Sequence, residues 1–475
     1  VVVVGGGISG LAAAWELSGA AQGPGEETPR IELIEANDHL GGALATTTFA
    51  GRTIDLGADG FLARRPEATT LVSELGWDDR LEEIAVSGSS IWLRGSLHEL
   101  PAGLILGVPT SAAIVKSVKG LSWRAHLAAR RDELFPAALS VGDDASIGEI
   151  LRTKLGRELT YQFIEPMVGG IQAGRIDELS AKSIFPALLD AARRGGSLMR
   201  ALATPADSGP PAPATRAPGG PMFYSLTSGI GSLAEELRRQ LLARGVVLRT
   251  GVEVTALRRT PSGNYPWEVD TSTTTTPADY LVLATPAHAA GHLIGHLDPD
   301  LSALEGVKSA GAAMVTFSVA RSEITLPEHG TGVLVPLGTA WSGEGSMLVT
   351  AITFLDRKWL RLVREHDVVL RAHVGRSDDV RWAALSDEEL TARVASELAV
   401  LLPRFGAVSE SLVRRWEPGL PQYYVGHDQL VTAAKRAATQ VQVALAGNAY
   451  DGVGVPASIG SGRRAAREAL NSVTR

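Results

Sequence analysis

Residues 1–10 read VVVVGGGISG, four valines that break straight into glycines. Four β-branched residues with no polar alternation predict a strand covered on both faces, the habit of a parallel sheet. Gly5-x-Gly7-x-x-Gly10 follows, and Leu11 to Leu17, with Ala12, Ala13 and Ala14, predicts a helix. After a loop at 23–29, Arg30–Ile34 predicts a second strand that ends at Glu35. A βαβ unit whose turn carries the glycines is the context in which this spacing binds a dinucleotide. Gly5 permits the tight turn. Gly7 lets backbone approach a pyrophosphate at the helix N-terminus, and Gly10 lets helix and strand pack closely. Glu35 stands where a carboxylate accepts both hydroxyls of an adenosine ribose.

The chain has 475 residues, two to three domains' worth at roughly 100–200 residues each. Its net charge of −7 gives a nucleic-acid partner no global electrostatic support, and none is expected. Cysteine is absent, which excludes disulfides, thiolate metal sites, iron–sulfur clusters, a cysteine nucleophile and a flavin tethered through a thioether. The ten histidines show no ligand spacing, and no metal is expected. His288, His292 and His296 fall at i, i+4, i+8 and read as packing or surface residues on one helix face. No apolar run is long enough for a spanning helix. The chain opens on Val1 with no basic region ahead of it, so the expectation is no signal peptide and a trimmed start.

Farther along, residues 97–205 read as mostly helical, with helices at 125–134, 147–163 and 187–203. Residues 204–221 are a Pro/Ala/Gly-rich linker. A helix at 231–244 leads to a strand at 246–249. Antiparallel strands at 252–259 and 267–271 precede a buried strand at 280–284. A β-rich block spans 312–374, and 387–402 predicts a helix. The chain closes with a strand at 441–446, a glycine-rich stretch to Pro456 and a helix at 459–470. Both ends therefore look nucleotide-binding, with other domains inserted between them.

Glu35-Ala36-x4-Gly41-Gly42 is similar to the pattern of flavin-containing amine oxidases and their relatives. The run LAGNAYDGVGVP at 445–456 is more specific and resembles the oxygen-dependent porphyrinogen oxidases of haem synthesis. Gly220-Pro221-Met222-Phe223-Tyr224-Ser225-Leu226, Ala284-Thr285-Pro286-Ala287 and Pro421-Gln422-Tyr423-x3-His427 support that resemblance. It covers nearly the whole chain. It implies an α/β fold with a discontinuous Rossmann-like FAD-binding domain at 1–60, 222–295 and 439–475. A mixed α+β substrate domain at 61–96 and 296–438 completes a para-hydroxybenzoate-hydroxylase-like arrangement. An inserted helical domain at 97–205, which touches the membrane in some members, is followed by a linker at 206–221.

By resemblance, noncovalent FAD is held by Gly5, Gly7, Gly10, Glu35, Gly41, Gly42, Gly57, Val254, Thr285, Gly447, Val453, Gly454, Val455 and Ile459. Arg64 and Arg65 match a region where the family sets a basic residue against a propionate; the alternative is a solvated pair. Ile171 lies in a loop similar to one over the macrocycle. Arg175 stands where the family has Asp or Asn, so it adds a cation for a carboxylate or pairs with Asp177 or Glu178. His373 replaces an expected aromatic and either lines the pocket or is an ordinary half-buried histidine. No catalytic residue is assigned.

The implied chemistry is oxidation of a porphyrinogen to a porphyrin. Six electrons leave in three hydride transfers to flavin, and dioxygen is reduced to hydrogen peroxide. Coproporphyrinogen III is expected ahead of protoporphyrinogen IX, and an amine oxidase or carotenoid-desaturase-like flavoenzyme is the rival reading. The partners expected are the porphyrinogen, dioxygen, a peripheral membrane contact through the apolar stretch 100–115 and the basic residues after it, and transient contact with a downstream haem-synthesis enzyme. The expected location is cytoplasmic, peripheral on the inner membrane face.

Overall fold

The computed structural model describes residues 1–19, 29–135, 139–204, 220–260, 265–341 and 345–473. The loop expected at 23–29 and the linker expected at 206–221 lie almost wholly outside the described residues. The chain divides into two compact units. Val1–Glu83, Pro218–Lys308 and Asp428–Arg475 form the first, and Ile84–Ala217 with Ser309–His427 forms the second.

The first unit is built on a five-stranded parallel sheet. Its order is Val247–Arg249, Glu32–Ile34, Val2–Val4, Leu281–Leu283, Val443–Leu445. The valine run is central, paired with Glu32–Ile34 on one side and Leu281–Leu283 on the other. Its two faces enter different cores, which is why both must be apolar. Val3 packs with Leu11, Leu33 and Val282, while Val2 and Val4 pack with Ile34, Leu281 and Trp267. Helices Ile8–Leu17 and Val455–Val473 cover the Val3 face. They lie so close that a Cβ on Gly462 would collide with the Ser9 carbonyl oxygen. An antiparallel sheet of Val254–Arg259, Trp267–Thr271 and Thr275–Ala278 and the helices Ala287–Ile294 and His427–Gln440 contribute to the opposite core. Helix Ala287–Ile294 ends before His296, which sits on a 3-10 turn, so the three histidines do not share one α-helical face.

Residues 61–83 and 296–308, read from sequence with the substrate domain, fall in the first unit. For 61–83 the reason is local pairing. Phe61–Leu62 and Leu81–Glu83 both bond to Phe223–Leu226, and Leu71 and Val72 of helix Pro66–Glu74 join the core of Leu11 and Ile459.

The second unit holds a seven-stranded mixed sheet. Its order is Val408–Pro421, Ser309–Ala320, Asp367–Val374, Val349–Phe354, Gly332–Leu334, Ser90–Leu93, Ser96–Glu99. The helical segment has an apolar core of its own, into which Ile91 and Leu93 of the sheet reach. Two expected helices are interrupted. Ile147–Glu158 passes into a π-helical turn at Leu159–Ile164. The segment at 187–203 breaks into Pro186–Arg194 and Leu198–Ala203, because Gly195 and Gly196 both take positive φ. Among the described residues no helix is long and apolar enough to cross a membrane.

Candidate cofactor and substrate sites

The glycine turn divides into residues that close the fold and one that leaves space. Gly5 has φ +104°, and a Cβ there would lie 2.6 Å from the Ala284 carbonyl oxygen. A Cβ on Gly10 would strike the Gly5 carbonyl oxygen, so this position welds helix to turn. Gly7 differs: its φ is ordinary at −65°, and a Cβ there meets nothing within 4 Å. It heads helix Ile8–Leu17, whose first-turn amides have no side-chain cap. The second glycine pair folds over this turn. Gly41 donates to the Gly6 carbonyl at 2.8 Å, and a Cβ on Gly42 would sit 3.2 Å from Gly7 Cα.

Glu35 is fixed at the end of its strand. Its backbone N–H donates to the Arg249 carbonyl at 2.8 Å, and its carbonyl accepts from Val252 N–H at 3.0 Å. Its carboxylate accepts from Gly6 N–H at 2.6 Å and from Asn37 N–H at 2.9 Å. That holds the acid against the glycine turn, with Val254 opening the next strand two residues beyond Val252. Gly57 is buried just after strand Arg52–Asp55. Thr285 follows strand Leu281–Leu283, close to Gly5, and its buried hydroxyl has no hydrogen-bond partner.

The 447–455 stretch reaches the same sheet from the other end of the chain. Gly447, Gly452 and Gly454 all have positive φ. A Cβ on Gly454 would meet nothing within 4 Å, and its carbonyl accepts the Ser458 N–H at 3.0 Å in the first turn of helix Val455–Val473. Val453 is half-buried, while Val455 and Ile459 are buried.

Asp451, which sequence reasoning left without a role, anchors this loop. It accepts from Lys435 Nζ at 2.6 Å, from Arg464 Nη2 at 2.9 Å and from the Ser461 hydroxyl, which itself accepts the Gly447 N–H. Burial alone would raise its carboxyl pKa, but the Arg464 charge and the Lys435 and Ser461 hydrogen bonds outweigh burial and hold it below the usual range. The available signal was an acid stranded in an apolar, glycine-rich run, with Arg463-Arg464 set in an alanine-rich helix after it.

The substrate candidates are placed within their own units. In the first, Arg65 precedes helix Pro66–Glu74 and pairs with Glu67 at 2.6 Å. Arg64 beside it is exposed. In the second, Ile171 is exposed on helix Glu165–Gln172. Arg175 pairs with Asp378 at 3.5 Å rather than with Asp177 or Glu178; Asp177 instead accepts from Tyr161 at 2.9 Å. His373 is half-buried in strand Asp367–Val374, its ring 3.1 Å from the Thr353 hydroxyl. Among the described residues no cluster of His, Cys, Asp or Glu could hold a metal ion.

Comparison with known proteins extends over the whole chain. The family described as flavin containing amine oxidoreductase matches residues 8–470. The coproporphyrinogen III oxidase of Bacillus subtilis (strain 168) is 31% identical, covering 99% of this chain and 97% of its own. The protoporphyrinogen oxidase of Bos taurus is 29% identical, covering 99% and 98%. A crystal structure of a provisionally named protoporphyrinogen oxidase from Exiguobacterium sp. 255-15 is 30% identical, with a TM-score of 0.84 and coverage of 100% and 98%.

Proposed function

From the premise that this chain belongs to the flavin containing amine oxidoreductases, in their porphyrinogen-oxidase branch, we propose that it oxidises coproporphyrinogen III to coproporphyrin III. It is an oxidoreductase, and its cofactor is FAD. The reaction removes six electrons and six protons and converts three dioxygen molecules to three of hydrogen peroxide. The observation that carries this reading is the end-to-end likeness to the Bacillus subtilis coproporphyrinogen III oxidase. The protein-side chemistry fits the cofactor. Two glycines, Gly7 and Gly454, leave space where a backbone must approach a ligand, and the Thr285 hydroxyl lies buried without a partner near Gly5.

Bound FAD supplies a two-electron acceptor that dioxygen reoxidises. Glu35 is the acceptor for the ribose hydroxyls, and the uncapped amides behind Gly7 receive the pyrophosphate. The amides at the start of helix Val455–Val473 favour negative charge beside them. With no cysteine in the chain, acid precipitation is expected to leave the yellow chromophore in the supernatant; colour in the pellet would refute noncovalent binding.

A tetracarboxylate substrate favours several cations, for which Arg64, Arg65 and Arg175 are the candidates. Each charged hydrogen bond contributes about 1.5–3 kcal/mol, so losing one costs about ten- to a hundredfold. Arg64→Ala is expected to lower kcat/KM for coproporphyrinogen by that much and for protoporphyrinogen by less. Arg65→Ala also strands Glu67. Porphyrin fluorescence with both porphyrinogens side by side tests the assignment. A higher wild-type kcat/KM for protoporphyrinogen would overturn it and favour the reading named for the Bos taurus relative.

Exposed apolar groups on helix Trp123–Leu134 support the reading of a peripheral membrane contact. Leu104, Ile105 and Leu106 pack against the helical core instead. Trp123, Leu127, Leu134 and Phe135 are 57–74% exposed on and just after helix Trp123–Leu134, among Arg124, Arg130 and Arg131. Apolar side chains beside cations suit anionic headgroups. Flotation with anionic vesicles is expected to carry the protein upward and to weaken in Trp123→Ser/Phe135→Ser; equal flotation on neutral vesicles would count against this contact.

A further inference from the structure

The segment carrying Ile171 and Arg175 rests on a buried charge. Helix Glu165–Gln172 ends at Ala173 in left-handed backbone, and the Ala173 carbonyl accepts the Ser377 N–H at 2.8 Å. Beneath it lies Arg376, whose Nη2 donates to the Gly174 carbonyl at 2.6 Å and to Glu165 at 2.5 Å. Both side chains of that ion pair are 2% exposed. The turn needs glycine to admit the guanidinium, because a Cβ on Gly169 would come within 2.9 Å of Arg376 Nη1.

Asp378 joins this buried pair to the surface. One of its oxygens lies 3.5 Å from Arg376 Nε and the other 3.5 Å from Arg175 Nε. The four side chains form a row of alternating charge, Glu165, Arg376, Asp378, Arg175, running from the interior outward and ending positive. Arg175 meets Asp378 through Nε and stays 45% exposed. An exposed arginine loses much rotamer freedom when it binds a carboxylate, and a fixed partner removes part of that cost in advance.

We infer that Asp378 is a positioning residue, held by the Glu165–Arg376 pair, that orients Arg175 toward a carboxylate of the substrate. This rests on the porphyrinogen reading above. The test is a double-mutant cycle on coproporphyrin III binding, followed by fluorescence, with steady-state turnover of coproporphyrinogen III alongside. Arg175→Ala and Asp378→Ala are each expected to weaken binding about tenfold, and the double variant no more than either alone. KM should rise with kcat nearly unchanged, and Asp378→Glu should recover most of the loss. Additive losses would overturn the inference. So would tighter binding by Asp378→Ala, which would make Asp378 a competitor for Arg175. Wild-type failure to oxidise either porphyrinogen would sink the underlying reading, whereas turnover with uncoupled variants would sink this inference alone.

Discussion

Gly7→Val and Gly454→Asp should both yield folded protein that no longer retains flavin. At Gly7 the backbone is ordinary and the space beyond a Cβ is open, so valine costs the fold little. What it removes is the bare backbone surface that a pyrophosphate needs. At Gly454, φ is +105°, so an L-residue adds strain of about 1–3 kcal/mol, and aspartate brings a like charge toward an anionic cofactor. A loss of about 3–4 kcal/mol in cofactor binding is a hundredfold or more in Kd. Flavin absorbance per protein is expected to fall below about a tenth of wild type, with the far-ultraviolet circular dichroism kept. Gly10→Val is the contrasting control, since its Cβ meets the Gly5 carbonyl oxygen, and it should misfold. Full flavin occupancy in Gly7→Val or Gly454→Asp would mean that the cofactor lies elsewhere.

Asp451→Ala should cost the most stability of any single change in the 447–455 loop. It leaves Lys435 and Arg464 without their shared carboxylate and frees the Ser461 hydroxyl from it. These groups are partly exposed, so solvent reduces the penalty to about 2–3 kcal/mol, a fall in Tm of roughly 5–10 °C. The effect has a pH signature. The folded carboxyl titrates below its unfolded value, so its stabilisation is complete above the ordinary Asp range near about 4 and disappears as pH falls through the lowered folded value. Wild type and Asp451→Asn should therefore differ at pH 7 and converge under acid. A constant difference down to pH 3 would show that the carboxylate charge is not the source.

Features carried by local pattern were legible in the sequence. The valine run, the glycine spacing and Glu35 each announce strand, turn and acid, and the parallel sheet and its Gly–Glu contact follow them. Relations set by tertiary pairing were not. Residues 61–83 join the first unit through a strand at 223–226, a link with no periodic signature. The helix expected at 187–203 hid its break because both halves are alanine- and leucine-rich and only Gly195-Gly196 marks it. Arg175 was seen as a cation, but its acid came from position 378, two hundred residues on, rather than from the neighbours at 177 and 178. Charged residues meeting across such distances leave composition and spacing unchanged, which is why Arg376, paired with Glu165, drew no attention.

The central place of Val2–Val4 bears on how the chain is made. Its neighbours in the sheet are residues 32–34 and 281–283, and the sheet is closed by 443–445. On a ribosome adding about 5–20 residues per second, the last strand emerges roughly 20–90 seconds after the first. Until residues 281–283 emerge, roughly 14–55 seconds after the first strand at that rate, Val2–Val4 has an unpaired edge, and until residues 455–473 follow its helix lacks the partner whose Gly462 packs against Ser9. Exposed strand edges of this kind recruit other chains. The nascent protein is therefore expected to engage a holdase early, and slowing translation between residues 34 and 281 should lower soluble yield more than slowing it after residue 445.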